Sequence, residues 1–236
     1  MAAAVFFALL IAGIGGAIYF NIVRARKRRE ALFAWATTNG LEYNQGDPFG
    51  LLDLGFNLFS LGDGRGIENV MWGPWQGLPV KEADYWYYTE SSDGKGNRSR
   101  TYHRFSVVIA ELQCFLPQIA VTKENLLTRL ADHLGFQDIN FESEEFNREF
   151  QIKCRDREFA FKLIDARMIQ WFLSTDGRFG VETNGQNVLV YTKAIRQPTE
   201  LLPLFCTVKE FHDRIPRIVW SEYGMPQQPG NERSAR

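Results

Sequence analysis

The chain begins with an unbroken apolar run. Ala2 to Val23 carries no charged residue, and Asn21 is its only strongly polar member. Twenty-two residues at 1.5 Å each reach about 33 Å, which matches a bilayer core of about 30 Å. Five basic residues follow at once: Arg24, Arg26, Lys27, Arg28 and Arg29. A cleaved signal peptide would carry its positive charge before a shorter apolar core. The pattern therefore predicts a retained transmembrane helix over 2–23. No helix breaker occurs between Arg24 and Thr38, and Leu32, Phe33, Trp35 and Ala36 form an apolar stripe. The helix is expected to run on as a basic juxtamembrane stalk over 24–40. Gly40 stops it, with Leu41 placed for the hydrophobic contact of a C-cap.

The rest of the chain, 41–223, alternates strand and helix patterns. Residues 42–66 read as a loop with a short strand near 56–61 and a turn at Gly62-Asp-Gly-Arg-Gly66. Segments 67–73, 78–88 and 101–112 read as an antiparallel meander. The eleven residues from Thr89 to Ser99 have no apolar side chain and form its outer hairpin tip. Gln118 to Val121 reads as a separate short strand, and Thr122 as the cap of a helix reaching Leu134. Alternation over 148–155 predicts a half-buried strand, while Asp156 and Asp165 sit where they can cap short helices over 157–164 and 166–174, the first of which also alternates as a strand would at Phe159, Phe161 and Leu163. Asn184-Gly185 predicts a hairpin between 178–182 and 187–193. Thr207-Val-Lys-Glu210 reads as a capping box opening a last helix, which Pro216 interrupts. The tail over 224–236 is polar and expected to be disordered.

Charge sharpens this picture. The net charge of −1 hides an asymmetry, because removing the five basic residues of the stalk from 27 leaves 22 against 28 acidic groups. An acidic body on a basic stalk argues against nucleic-acid binding. The positive-inside rule places the amino terminus outside and the body in the cytoplasm. Cys114, Cys154 and Cys206 are odd in number and set in apolar surroundings, as reduced buried thiols would be. The expected location is the plasma membrane, with the lipid bilayer itself as first partner. Arg24, Arg26, Lys27, Arg28 and Arg29 would contact anionic headgroups. Ala8, Ala12 and Gly16 form a small-residue ridge through which two copies could associate.

Candidate chemistry is sparse. The sequence holds no GxSxG, HExxH, CxxC or P-loop string, and His103, His133 and His212 are far apart. No cofactor or metal is implied. Arg98, Arg100, Tyr102 and Arg104 face Tyr85 to Tyr88 across the hairpin, an arrangement suited to a solvated sheet face or to anionic headgroups. The densest acidic run is Glu142, Glu144, Glu145 and Glu149.

Asp138-Ile-Asn-Phe-Glu-Ser-Glu-Glu-Phe-Asn-Arg148, together with Leu130 to Gly135, Asp165-Ala-Arg-Met168 and Ile215-Pro-Arg217, resembles a family of bacterial membrane proteins, mainly actinobacterial. These have a short N-terminal anchor and a conserved domain of unknown function. The resemblance implies a bacterial plasma-membrane location and carries no catalytic residues with it. It singles out Phe141, Glu142, Glu144, Phe146, Asn147 and Arg148 as a motif whose role is open.

These readings converge on an α+β protein: a transmembrane helix continuing as a stalk, then antiparallel sheet with packed helices. The function they favour is a membrane-tethered, non-enzymatic module that binds a protein partner or a lipid surface. The alternative is an enzyme with a site around the acidic, Asn and Arg positions of 142–148.

Overall fold

A computed structural model gives the fold. It describes residues 2–94, 96–123, 137–175 and 177–225, with the side chains of 2–5, 7–9 and 137 left undescribed. One helix, α1 (Ala2–Thr38), carries the apolar run straight into the body of the protein. It ends as the sequence predicts: Gly40 is left-handed at φ +70°, and the Leu41 N–H donates to the Ala36 carbonyl at 2.8 Å. Leu32, Ala36 and Leu41 are buried, and Trp35 packs on Trp75 and Phe205. At the other end Leu10, Ile11, Ile14, Ile18, Tyr19, Phe20 and Ile22 stand 48–70% exposed all around the helix. Among the described residues no helix is long and apolar enough to cross a membrane. Seven of the 22 residues in the expected span 2–23 have side chains outside that description.

The strands are β1 (Glu42–Asn44), β2 (Gly64–Trp75), β3 (Leu78–Ser92), β4 (Arg98–Lys123), β5 (Gln137–Asp138), β6 (Phe150–Cys154) and β7 (Gly180–Lys193). All pair antiparallel in one sheet. Strand β4 is its spine, 26 residues long. Its first half pairs with β3 and its last turns of sequence, Ile119 to Lys123, with β6, while β7 runs along the other side of both. The predicted meander is present, with longer strands than the pattern alone marked. Gln118 to Val121 is the far end of β4, and Thr122 is a buried residue of that strand opposite Gln151, where a helix cap was expected. The helix expected to follow falls on 124–136, outside the described residues.

Three further expectations are corrected. Residues 56–61 form no strand: short 3-10 turns at Leu51–Leu54 and Leu58–Ser60 bury Leu51, Phe56, Leu58 and Phe59. Asn184-Gly185 makes no hairpin. Gly185 takes φ +60° opposite Leu116, at the point where the β4–β7 register shifts, so the left-handed residue serves a bulge inside one long strand. Thr207 to Glu210 opens no helix, because α5 (Leu202–Arg214) begins five residues earlier. The Thr207 hydroxyl donates back to the Pro203 carbonyl, and Glu210 accepts from the Trp171 indole. The remaining helices follow the pattern. Asp156 and Asp165 cap α3 (Arg157–Leu163) and α4 (Ala166–Ser174), each accepting from the N–H three residues on, and Pro216 separates α5 from α6 (Arg217–Tyr223).

The sheet has a core on each face. The larger lies under α1, α3, α4, α5 and α6, and the smaller is formed by the 51–61 segment over Tyr85, Tyr87, Phe105, Leu189 and Tyr191. Since Leu32 joins α1 to the larger core and is fully buried, Leu32→Ala is expected to destabilise the fold by about 2–5 kcal/mol. Urea unfolding of the full chain checks this, and a loss below about 1 kcal/mol would mean that α1 is not part of the core.

Candidate functional site

The chemistry at the centre of the molecule gathers where α1 crosses the sheet. Strand β3 places Leu78, Val80, Glu82 and Asp84 on its α1-facing side, by the two-residue period of a strand. The first two are apolar, as a buried face requires. The next two are acids, and both are buried. Asp84 receives a fork of hydrogen bonds from Arg28 of α1, at 2.7 Å from Nε and 2.6 Å from Nη2. Asn69 Nδ2 also donates to Asp84, at 2.9 Å, and Tyr43 in turn donates its hydroxyl to Asn69 Oδ1. Asn69 sits at φ +57° in a bulge of β2, which turns its amide toward the acid. Arg28 also donates to the Arg196 carbonyl just beyond β7. One guanidinium therefore joins α1 to β3 and to the 194–197 segment. Burial alone would lower the pKa of Arg28. The Asp84 hydrogen bond and charge outweigh it, so Arg28 stays firmly cationic.

Glu82 is different. It is fully buried, and among the described residues neither carboxylate oxygen has a hydrogen-bond partner. Burial first, and the Asp84 charge second, push its pKa well above 4.5, with Arg28 opposing. On the other face Glu182 is also fully buried, but its carboxylate accepts the Asn57 and Leu58 N–H groups at 2.6 and 3.1 Å. It ties the 51–61 segment to β7. Burial pushes it up to about 8 in spite of those two donors. None of these groups was singled out by sequence motifs. The available signal was parity: acids at 82 and 84 fall on the same strand face as Leu78 and Val80.

The residues that the sequence did single out are placed as follows. Arg24 and Lys27 are exposed, Arg26 pairs with Glu30 on the helix surface, and Arg29 is half-buried. Arg28 alone of the five is drawn into the fold. Ala12 and Gly16 are exposed on α1 with open space beside Gly16, while the side chain of Ala8 lies outside the described residues. In the 141–148 motif Phe141, Phe146 and Asn147 turn inward. Ser143 caps α2 (Glu144–Glu149) by accepting the Phe146 N–H. The Asn147 side chain brackets Phe141, accepting from its N–H at 2.8 Å and donating to its carbonyl at 2.6 Å. Phe146 packs on Phe141, Phe150 and Phe172. Glu142, Glu144 and Arg148 point to solvent. The motif thus builds a packed corner, and it brings no acid and base together. Burial pushes the thiols of Cys114 and Cys154 up to about 11, and the three cysteines are unpaired. Gly64 and Gly66 belong to β2, where a Cβ would strike the rings of Tyr88 and Trp86.

Around Arg28 the surface is hollowed on both sides of α1. One groove of about 360 Å³ is lined by Arg24, Arg28, Arg29 and Arg104 with Glu68 and Asp84. The other, of about 600 Å³, is lined by Phe20, Val23, Ala31 and Ile195 together with Arg24, Lys27, Arg28 and Gln197. Among the described residues no three His, Cys, Asp or Glu side chains gather as metal ligands.

The raised Glu82 has a consequence for stability. An acid whose folded pKa exceeds its unfolded value near 4.5 stabilises the fold fully below that value. That contribution is lost as pH climbs toward the folded pKa. Stability is therefore expected to fall from pH 5 to pH 8, with Glu182 adding to the same slope. Glu82→Gln should flatten this dependence and raise the melting temperature at pH 8 relative to the parent. Thermal unfolding at the two pH values checks it, and an unchanged slope would mean Glu82 is ionised in the fold.

No protein-family model matches the chain, and no curated protein matches it in sequence. Among solved structures the fold is similar to the crystal structure of the mycobacterial trehalose monomycolate transport factor A, TtfA. The TM-score is 0.58 at 13% sequence identity, covering 86% of this chain and 99% of that one. At that identity the likeness is one of fold.

Proposed function

We propose that this chain is a membrane-anchored, non-catalytic module with a transport-associated role. In this reading 2–23 spans the plasma membrane, the amino terminus lies outside, and the α+β body stands on the cytoplasmic face. The observation that carries it is the continuity of α1. The helix whose first half exposes large apolar side chains on all sides is the same helix that Leu32, Ala36 and the Arg28–Asp84 pair fix to the sheet. A water-exposed helix of that composition would be costly, whereas in lipid it is at home. The body is then held in a set orientation at the bilayer, as a docking module requires. Arg24, Lys27 and Arg29 remain available to anionic headgroups, while Arg28 is engaged by Asp84 and Arg26 by Glu30.

The fold shared with a trehalose monomycolate transport factor supports a role in moving a lipid and not in altering it. So does the inward packing of the 141–148 motif, which leaves the enzymatic alternative without an assembled acid–base group. The partner in this role is a membrane or cytoplasmic protein. Ala8, Ala12 and Gly16 supply a ridge by which a second copy of α1 can pack in lipid.

Cell fractionation tests the anchor. The full chain is expected in the membrane fraction and to resist carbonate extraction, and a chain lacking 2–23 is expected in the soluble fraction. Protease added to intact spheroplasts should leave the body uncut. Carbonate release of the full chain, or cleavage of the body from outside, would contradict the reading.

A further inference from the structure

The two grooves beside α1 share Arg24, Arg28 and Ile195, so they form one continuous surface around the helix where it leaves the body. In the polar groove four arginines face two carboxylates, Glu68 and Asp84. Asp84 is taken by Arg28. Among the described residues no ion pair joins Arg24, Arg29 or Arg104 to a carboxylate. Arg24 and Arg104 are exposed and come from different elements, α1 and β4. Cations gathered on one wall repel one another until an anion enters, and guanidinium groups fit phosphate oxygens in pairs. The adjoining groove adds apolar walls from Phe20, Val23, Ala31 and Ile195 beside Arg24, Lys27 and Arg28. A cationic hollow that opens onto apolar walls matches an amphiphile with an anionic head.

We propose that this junction binds one anionic phospholipid, with its headgroup between Arg24, Arg29 and Arg104 and an acyl chain along Phe20, Val23 and Ile195. The site rests on the anchored reading, which sets Arg24 at the level of the headgroups. The hairpin beside it agrees. Trp86 lies opposite Arg104 in the sheet, and Trp86, Tyr88 and Tyr102 cluster on that same face with Arg100 stacked over Tyr88. Trp and Tyr side chains of this kind favour the membrane–water interface.

Native mass spectrometry of the full chain, released from neutral detergent micelles, tests the site. Phosphatidylglycerol should give a one-lipid adduct at about tenfold lower concentration than phosphatidylcholine, the effect of one or two charge-assisted hydrogen bonds. Arg24→Ala/Arg104→Ala should abolish that preference. Arg148→Ala/Arg217→Ala removes the same charge from α2 and α6, away from the groove, and should keep it. Equal binding of the two lipids by the parent chain would overturn the site. So would equal loss in both double variants, which would reduce the effect to general surface charge and leave the anchored reading intact. Displacement of the lipid adduct by inorganic phosphate at comparable concentration would assign the hollow to a soluble anion and overturn the lipid. Failure of the anchor itself is read separately, by carbonate extraction.

Discussion

The buried pair between Arg28 and Asp84 is the contact on which the arrangement of the whole molecule turns. It joins a helix and a sheet that otherwise meet through apolar and aromatic contacts such as Leu32, Ala36 and the Trp35–Trp75 stack. The fork and the Arg196 carbonyl occupy one donor on each of the three guanidinium nitrogens, and the Asn69 amide adds a third hydrogen bond to the carboxylate. That satisfaction matters because a desolvated charge left alone costs several kcal/mol, roughly 3–5 when one partner of such a pair is removed. The pair therefore fixes direction as well as proximity. A purely apolar contact would let α1 slide or roll over the sheet, whereas a two-pronged charged contact permits one register.

The same junction explains why acids sit inside the protein. Asp84 is there to hold Arg28. Glu82, one strand repeat away on the same face, accepts no hydrogen bond among the described residues, and burial and the neighbouring charge of Asp84 push its pKa well up. Glu182 plays the tethering part on the opposite face, with two backbone N–H groups in place of an arginine. Each face of the sheet thus has a buried carboxylate fastening a covering segment: α1 on one side, the 51–61 turns on the other.

Much of the fold was legible in the sequence, where local chemistry and tertiary environment agree. The apolar run, the Gly40 cap, the meander and the caps at Asp156 and Asp165 follow from periodicity and from side chains that satisfy nearby N–H groups. The misread elements were those in which a local signal served a distant need. Asn184-Gly185 supplies a positive φ, and β4 uses it as a bulge. Thr207 to Glu210 has the letters of a capping box, but Glu210 is held by Trp171, far off in sequence. The 56–61 segment looks like a strand because it is apolar, and it is apolar because it covers a second core. The junction was half legible. The basic run was plain, but that Arg28 alone turns inward depends on Asp84, which pattern reading passed over as one more charge on a strand.

The central claim is that the body is held rigidly on α1 by Arg28 and Asp84. Electron–electron spin distances in the full chain, labelled at Arg26→Cys on α1 and Arg217→Cys on α6 with Cys206→Ser, measure it directly in lipid nanodiscs. The account predicts one narrow distance distribution that broadens when Asp84 is replaced by alanine. A broad distribution in the unreplaced chain, or one indifferent to Asp84→Ala, would contradict it.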